Sequence, residues 1–426
     1  MAVMQLKTTN PDFSFLIKKN PKTGMIFREI RKGTAYGWYT DDKTYNIYFK
    51  DADNEISFKQ HPNESFEYLN LSRYNSPLIP LNMITEFLGS LVKKDNEQDI
   101  PGFKHTLTVS MIHLQRIHYI KFFQKHFRDF EFNIEEIADK SYKLEIKTEK
   151  KLEELIHVSS VLFLFFAMFG KEYLEIPDSM LKKYIISLQV IEAPFYIRNL
   201  FVQNFLNSRK RFKDFKKELE KTERYNINFE FGNTAYQRRD FIRGNLKFDK
   251  KIIDIGCGEG FYALSFAKNI EHDYIAVDID ESLLERVRNN AVKRDIENIS
   301  TYSSLESYIE NYENDLSDVI LTEVIEHMPL DKAEALIKSI CKNINFETFI
   351  ITTPNQEFNK FYELSEELRH DDHKWEFGKE EFRNWISGIL ENEKFSYADI
   401  GDSVDGISTT QGVIIKRTQE NGADNK

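Results

Sequence analysis

From about residue 226 onward, apolar positions fall in runs of four or five separated by stretches with helical spacing. Segments 252–255, 274–278, 318–322, 348–352 and 413–416 read as strands, with helices at 261–269, 281–293 and 332–343 between them. Such alternation predicts an α/β fold with a doubly wound, mainly parallel sheet, whose ligands bind beyond the carboxyl ends of the strands. The first 225 residues are patterned differently. Short strands at 45–49 and 106–109, a helix at 80–91 with a proline near its start, and a helix beginning near 176 with Asp178 or Ser179 as N-cap make an α+β pattern. Segment 210–224 is charged and lacks Gly and Pro, so it reads as a helical connector. The expected organisation is an N-terminal α+β domain over 1–225, an α/β domain over 226–417 and a polar, disordered tail over 418–426.

Composition changes this picture only locally. Two cysteines, Cys257 and Cys341, cannot form a disulfide framework and fit a reducing cytosol. The first residues carry no apolar signal core, so the expected location is cytoplasmic. The longest apolar run, 158–169, falls short of the roughly 20 residues that cross a bilayer and is expected to be a buried helix or strand, with no membrane partner. The net charge of −11 argues against broad nonspecific binding of nucleic acid. Residues 208–250 run the other way, with 13 Lys/Arg against 7 Asp/Glu and with Phe212, Phe215, Tyr225, Phe229, Phe231, Tyr236 and Phe241 interleaved. Basic groups hold phosphates and aromatic rings stack on unpaired bases. The competing reading is a connecting helix with a solvated charged face.

Two constellations carry chemistry. Asp254-Ile-Gly256-Cys-Gly258-Glu-Gly260 follows the first predicted strand of the α/β domain, and Asp278 ends the second. Glycines let backbone pass close to a ligand, and a carboxylate at the end of the second strand accepts hydrogen bonds from ribose hydroxyls. The spacing and Glu259 inside the loop disfavour a dinucleotide site, whose fingerprint is G-x-G-x-x-G. The second constellation is Glu323-Val-Ile-Glu326-His327, directly after the strand at 318–322. If helical, it sets two carboxylates and an imidazole on one face. A fourth ligand from Arg369-His-Asp-Asp-His373 would complete a mixed N/O site suited to Mg²⁺, Mn²⁺ or Zn²⁺.

The glycine loop resembles that of class I S-adenosylmethionine-dependent methyltransferases. This implies donor contacts from Asp254, Gly256, Gly258 and Asp278, with Ser304 and Leu305 bordering the adenine and Ser303 as an adjacent alternative. Thr352-Thr-Pro354-Asn355-Gln-Glu357-Phe358-Asn359, Arg369-His-Asp-Asp-His373-Lys-Trp-Glu-Phe377 and Thr409-Thr-Gln411-Gly-Val-Ile-Ile415 resemble, in order, motifs of the small-RNA 3′-terminal 2′-O-methyltransferase family over 250–416. The resemblance places the metal ligands, and hence the catalytic centre, on Glu323, Glu326, His327 and His373, with Mg²⁺ or Mn²⁺ as the ion and His370 as a nearby competitor. The family's aromatic pair after the histidine stands here as Trp375-Glu-Phe377, in swapped order. Less extensively, Asn70-Leu-Ser-Arg-Tyr-Asn-Ser-Pro-Leu-Ile-Pro80 and Val161-Leu-Phe-Leu-Phe-Phe-Ala-Met-Phe-Gly-Lys-Glu-Tyr173 resemble the N-terminal region of bacterial members, which partners a polynucleotide kinase-phosphatase with a ligase-like domain and helps activate ligation in RNA repair. Against this stands an accessory domain that only orients RNA.

The expected activity is metal-dependent methylation of the 2′-hydroxyl of an RNA 3′-terminal nucleotide, with S-adenosylmethionine as donor and RNA with a free 3′ end as partner, within bacterial RNA repair. An ion that chelates both terminal hydroxyls would select a free 3′ end. Two alternatives are a small-molecule O-methyltransferase with an accessory domain, which would not need His373, and an activator subunit of a repair complex with a vestigial methyltransferase.

Overall fold

The computed structural model describes residues 3–30, 33–51, 58–59, 68–69, 75–93, 96–170, 176–362 and 368–417. The expected tail at 418–426, residues 70–74 of the first N-terminal motif and 171–173 of the second lie outside them. The chain forms two compact units, Met1–Pro194 and Phe195–Lys426.

The first unit is built on a seven-stranded antiparallel sheet. Its strands are β1 Val3–Thr8, β2 Ile26–Ile30, β3 Gly33–Asp41, β4 Thr44–Asp51, β5 His105–His113, β6 Phe130–Ala138 and β7 Ser141–Thr148, in the spatial order β2-β3-β4-β1-β5-β7-β6. Helices α1 Leu78–Phe87, α2 Leu152–Phe169 and α3 Asp178–Val190 pack together in this unit. The long apolar run lies inside α2, which is 18 residues long and 83% buried, so its length and composition serve the core of the unit. Its amino end is held by a residue remote in sequence: the buried Asp99 carboxylate accepts from Leu152 N at 2.9 Å and Glu153 N at 2.8 Å, satisfying two donors that a helix start leaves open. Asp178 opens α3, but Pro177 occupies the cap and no side-chain capping bond forms. The Asp178 carboxylate stands instead in the first turn, where the helix dipole favours a negative charge.

The second unit contains α4 Phe195–Phe205, α5 Arg209–Leu219, α6 Thr234–Asn245, α7 Glu281–Lys293, α8 Leu330–Asn343 and α9 Lys379–Ile389. Its eight strands are β8 Ile227–Asn228, β9 Lys251–Ile255, β10 Tyr274–Val277, β11 Ile299–Tyr302, β12 Ser317–Thr322, β13 Phe346–Pro354, β14 Phe395–Val404 and β15 Ile407–Lys416. They lie in the order β8-β14-β15-β13-β12-β9-β10-β11. The run from β13 to β11 is parallel, while β15, β14 and β8 add antiparallel to it. The strand order reverses at β9 and β12, which opens the crevice where such sheets take ligands.

The sequence pattern places a domain boundary near 225, and packing groups the helix before that point with the second compact unit, Phe195–Lys426. The reason is the packing of α4. Phe195 stacks on Phe229 and meets Phe358 edge-on, and Asn199 donates to Asp402 at 2.7 Å, so α4 packs with the second unit.

Candidate active site

The site is assembled at the carboxyl ends of β9, β10, β12 and β13. After β9, Gly256 turns with φ +73°, and a Cβ there would lie 2.2 Å from Val324 Cγ2. The glycine loop therefore presses against the segment that carries the acidic-histidine cluster. Gly258 N donates to Asp278 Oδ2 at 2.8 Å, so the carboxylate that ends β10 braces the loop. Asp254 is fully buried; the Tyr274 hydroxyl donates to its Oδ2 at 2.8 Å, and burial pushes its carboxyl up to about 7. Ser304 caps a short helix through reciprocal bonds with Ser307, so its hydroxyl is engaged there. Ser303 is exposed, and Ile279, beside Asp278, is 91% exposed.

The segment after β12 was expected to be helical. Instead, Glu323 takes φ +56° and only Ile325–His327 forms a 3₁₀ turn. The left-handed residue breaks the helical period, so the carboxylates do not converge by periodicity. Ligand atoms of Glu326, His327 and His373 lie within 4.8 Å of one another. Glu323 is turned aside: its Oε2 pairs with an Arg238 guanidinium nitrogen at 3.1 Å, and its Oε1 accepts from the Thr352 hydroxyl at 3.1 Å. His370 is exposed, with its ring 5.4 Å from that of His373, and is not in the cluster.

His373 reaches the cluster because its loop is fastened on both sides. Lys374 N donates to the Glu326 carbonyl at 2.7 Å, and Trp375 Nε1 donates to the Met328 carbonyl at 2.8 Å. Arg369 donates to the carbonyls of Asn355 and Thr409 at 2.6 and 2.7 Å, tying the start of the loop to β13 and β15. Within the loop, His373 Nδ1 lies 2.5 Å from Glu376 Oε1, with both side chains buried. A carboxylate accepts the Nδ1 proton, which leaves Nε2 as the free lone pair. Asn359 Nδ2 and Arg369 N hold the same carboxylate at 2.6 and 2.8 Å. Sequence reasoning missed Glu376, Arg369, Asn359 and Arg238. Glu376 sat inside the recognised stretch at i+3 from His373, and that spacing was its available signal.

The donor set fits a hard or borderline divalent cation. Glu326 is wholly buried, its Oε2 accepts from the Thr353 hydroxyl, and its Oε1 has no hydrogen-bond partner among the described residues. Burial, with the Glu323 carboxylate nearby, holds its carboxyl well above the usual range. An adjacent cation is the group that compensates such an oxygen.

Comparison with known proteins bears on both units. Residues 3–224 match the model of the Hen1 N-terminal domain, and residues 246–401 match a methyltransferase domain model. The small RNA 2′-O-methyltransferase of Caenorhabditis elegans is 29% identical over 183 residues, which cover 36% of this chain and 40% of that protein. The small RNA 2′-O-methyltransferase of Drosophila melanogaster is 31% identical over 172 residues, covering 36% and 44%. The match thus spans less than half the length of these curated relatives. A chain in the solved structure of the Pnkp1/Rnl/Hen1 RNA repair complex aligns with a TM-score of 0.82 and 27% identity, over 97% of this chain and 100% of that one.

Proposed function

Because the chain belongs to the Hen1 family, we propose that it methylates the ribose 2′-hydroxyl at the 3′-terminal nucleotide of RNA, with S-adenosylmethionine as donor and a divalent metal such as Mg²⁺ or Mn²⁺. The observation that carries this reading is the meeting of Glu326, His327 and His373 beside the glycine loop at the strand ends.

Glu326, His327 and His373 would hold the ion, and Glu323, released from Arg238, would be the fourth ligand. A divalent ion lowers the pKa of a hydroxyl beside it and fixes its position. S-adenosylmethionine supplies a methyl group on a sulfonium centre, whose transfer is a matter of in-line positioning. The chain does the positioning. The turn at Gly256 would let backbone approach the donor, Asp278 would meet its ribose hydroxyls, and Ser304 with Leu305, together with the exposed Ile279, would border its adenine. Glu376 would orient His373, and Arg238 pairs with Glu323 in the absence of an ion. The fold match to a chain of an RNA repair complex supports a kinase-phosphatase and ligase as its partners in RNA repair. A reducing, cytosolic setting accords with free Cys257 and Cys341.

The test is transfer of a labelled methyl group from S-adenosylmethionine to a short RNA, with Mn²⁺ and with chelator. Labelling confined to the terminal ribose, lost with chelator and absent from RNA ending in a 3′-phosphate or a 2′-deoxy sugar, is expected. Equal labelling of blocked ends would refute terminal 2′-hydroxyl recognition.

A further inference from the structure

On α6, one residue past the Arg238 that holds Glu323, Arg239 carries a cation that the site described above does not use. Its guanidinium lies 4.5 Å from the ring centroid of Tyr236 and 5.7 Å from that of Phe261. The two rings meet edge-on with centroids 5.3 Å apart. Tyr236 is 40% exposed and Phe261 38% exposed, whereas the Arg239 side chain is 18% exposed. Phe261 directly follows Gly260 of the glycine loop, which sets the cluster at the mouth of the site.

The charge of Arg239 is poorly compensated. Its Nε is buried with no hydrogen-bond partner among the described residues. The Asp240 carboxylate is 3.5 Å from an Arg239 Nη, at the limit of a hydrogen bond, and that carboxylate is also paired with Arg209. Arg209 in turn lies 4.9 Å from the ring centroid of Phe231. Two cation–aromatic units, Arg209 of α5 with Phe231 and Arg239 with Tyr236 of α6, are thus bridged by the one Asp240 carboxylate. A surface built only for solvent has no reason to leave two large rings open beside a half-paired guanidinium.

We propose that Tyr236, Arg239 and Phe261 form the subsite for the unpaired nucleotide that precedes the 3′-terminal one, with its base stacked on the rings and its phosphate held by Arg239. Single-stranded nucleic acid is the ligand whose chemistry fits, because a base has a π-face for the rings and a phosphate for the cation. The subsite reads no sequence, since every base can stack. This inference rests on RNA as the substrate of the neighbouring site.

The experiment separates the two readings by measuring binding and turnover independently. Binding of a 5′-fluorescent single-stranded RNA to the full chain is followed by anisotropy, alongside S-adenosylmethionine affinity and steady-state methyl transfer. Tyr236→Ala is expected to weaken RNA binding about tenfold, with the loss falling on KM for RNA. Tyr236→Phe should restore binding, because the ring and not the hydroxyl does the stacking. Arg239→Gln should also weaken binding and reduce the salt dependence by about one phosphate contact. If wild type methylates RNA while both Tyr236→Ala and Arg239→Gln bind it as tightly as wild type, the subsite is wrong and the function stands. If wild type binds RNA through these residues without methylating it, the function is wrong and the subsite stands. No RNA binding by wild type overturns both.

Discussion

At the scale of single residues, the cluster is held from behind by groups outside it. His373 can present Nε2 only if its other nitrogen is committed, and Glu376 at 2.5 Å provides that commitment from a buried position. Outer-shell partners of this kind are worth about 10–100-fold in metal affinity. Glu376→Ala is therefore expected to weaken Mn²⁺ binding by about that factor, measured by electron paramagnetic resonance of free Mn²⁺. Glu376→Gln, which keeps an acceptor oxygen, should fall between the two. Wild-type affinity in a folded Glu376→Ala protein would remove it from the site. Arg238 acts in the opposite sense on the other side: its ion pair holds Glu323 apart from the Glu326, His327 and His373 cluster.

At the scale of elements, the site is a meeting of loops at strand ends, each pinned by close contact. The tightest contact is between Gly256 and Val324. A Cβ at Gly256 meets Val324 Cγ2 at 2.2 Å, and a β-branched side chain cannot swing aside freely. Gly258 also has positive φ, at +53°, but a Cβ there meets nothing within 4 Å. The two substitutions separate strain from collision. Gly258→Ala should cost about 1–2 kcal/mol, the strain of a left-handed residue. Gly256→Ala adds overpacking and should cost roughly 2–5 kcal/mol, with S-adenosylmethionine affinity falling further than in Gly258→Ala. Calorimetric titration with the donor and urea unfolding of both variants read this out; equal losses would mean that Val324 yields and the loops are not rigidly joined. The glycine loop itself was legible from sequence because its chemistry is local. The bonds from Lys374 and Trp375 that fasten the His373 loop were not, because each joins residues about 47 positions apart.

At the scale of the whole molecule, the two units bury titratable groups of opposite kind. In the first, His105 and His157 are buried against the hydroxyls of Thr8 and Ser187, and burial lowers both to about 4. Below the ordinary histidine value near 6.5 the unfolded chain binds protons that the folded unit refuses, so stability falls as pH drops from about 6.5 to about 4. In the second unit, burial raises Asp318 to about 6 and Asp254 and Asp402 to about 7. There the folded unit holds protons that the unfolded chain releases, so stability falls as pH rises from about 4 toward 7. Each group contributes roughly 1 kcal/mol per pH unit inside its window. Hydrogen exchange followed peptide by peptide, corrected for intrinsic rates, should show the first unit less protected and the second more protected at pH 5.5 than at pH 7. Parallel changes in both units would refute the assignment.

What the sequence determined by itself was whatever depends on neighbours along the chain. The apolar runs set β9, β10, β12 and β13, because a strand covered on both faces is written locally as a short continuous apolar run. The glycine loop, Asp278 and the Glu326-His327 pair were read at strand ends for the same reason. The antiparallel β14, the inclusion of α4 in the second unit and the left-handed turn at Glu323 were not readable, since long-range pairing or packing decides each. Only the tertiary structure could bring His373 to Glu326, turn Glu323 toward Arg238 and set Glu376 behind the imidazole. Those contacts are short in space and long in sequence, and their geometry is settled by how loops pack once the sheet has aligned their ends.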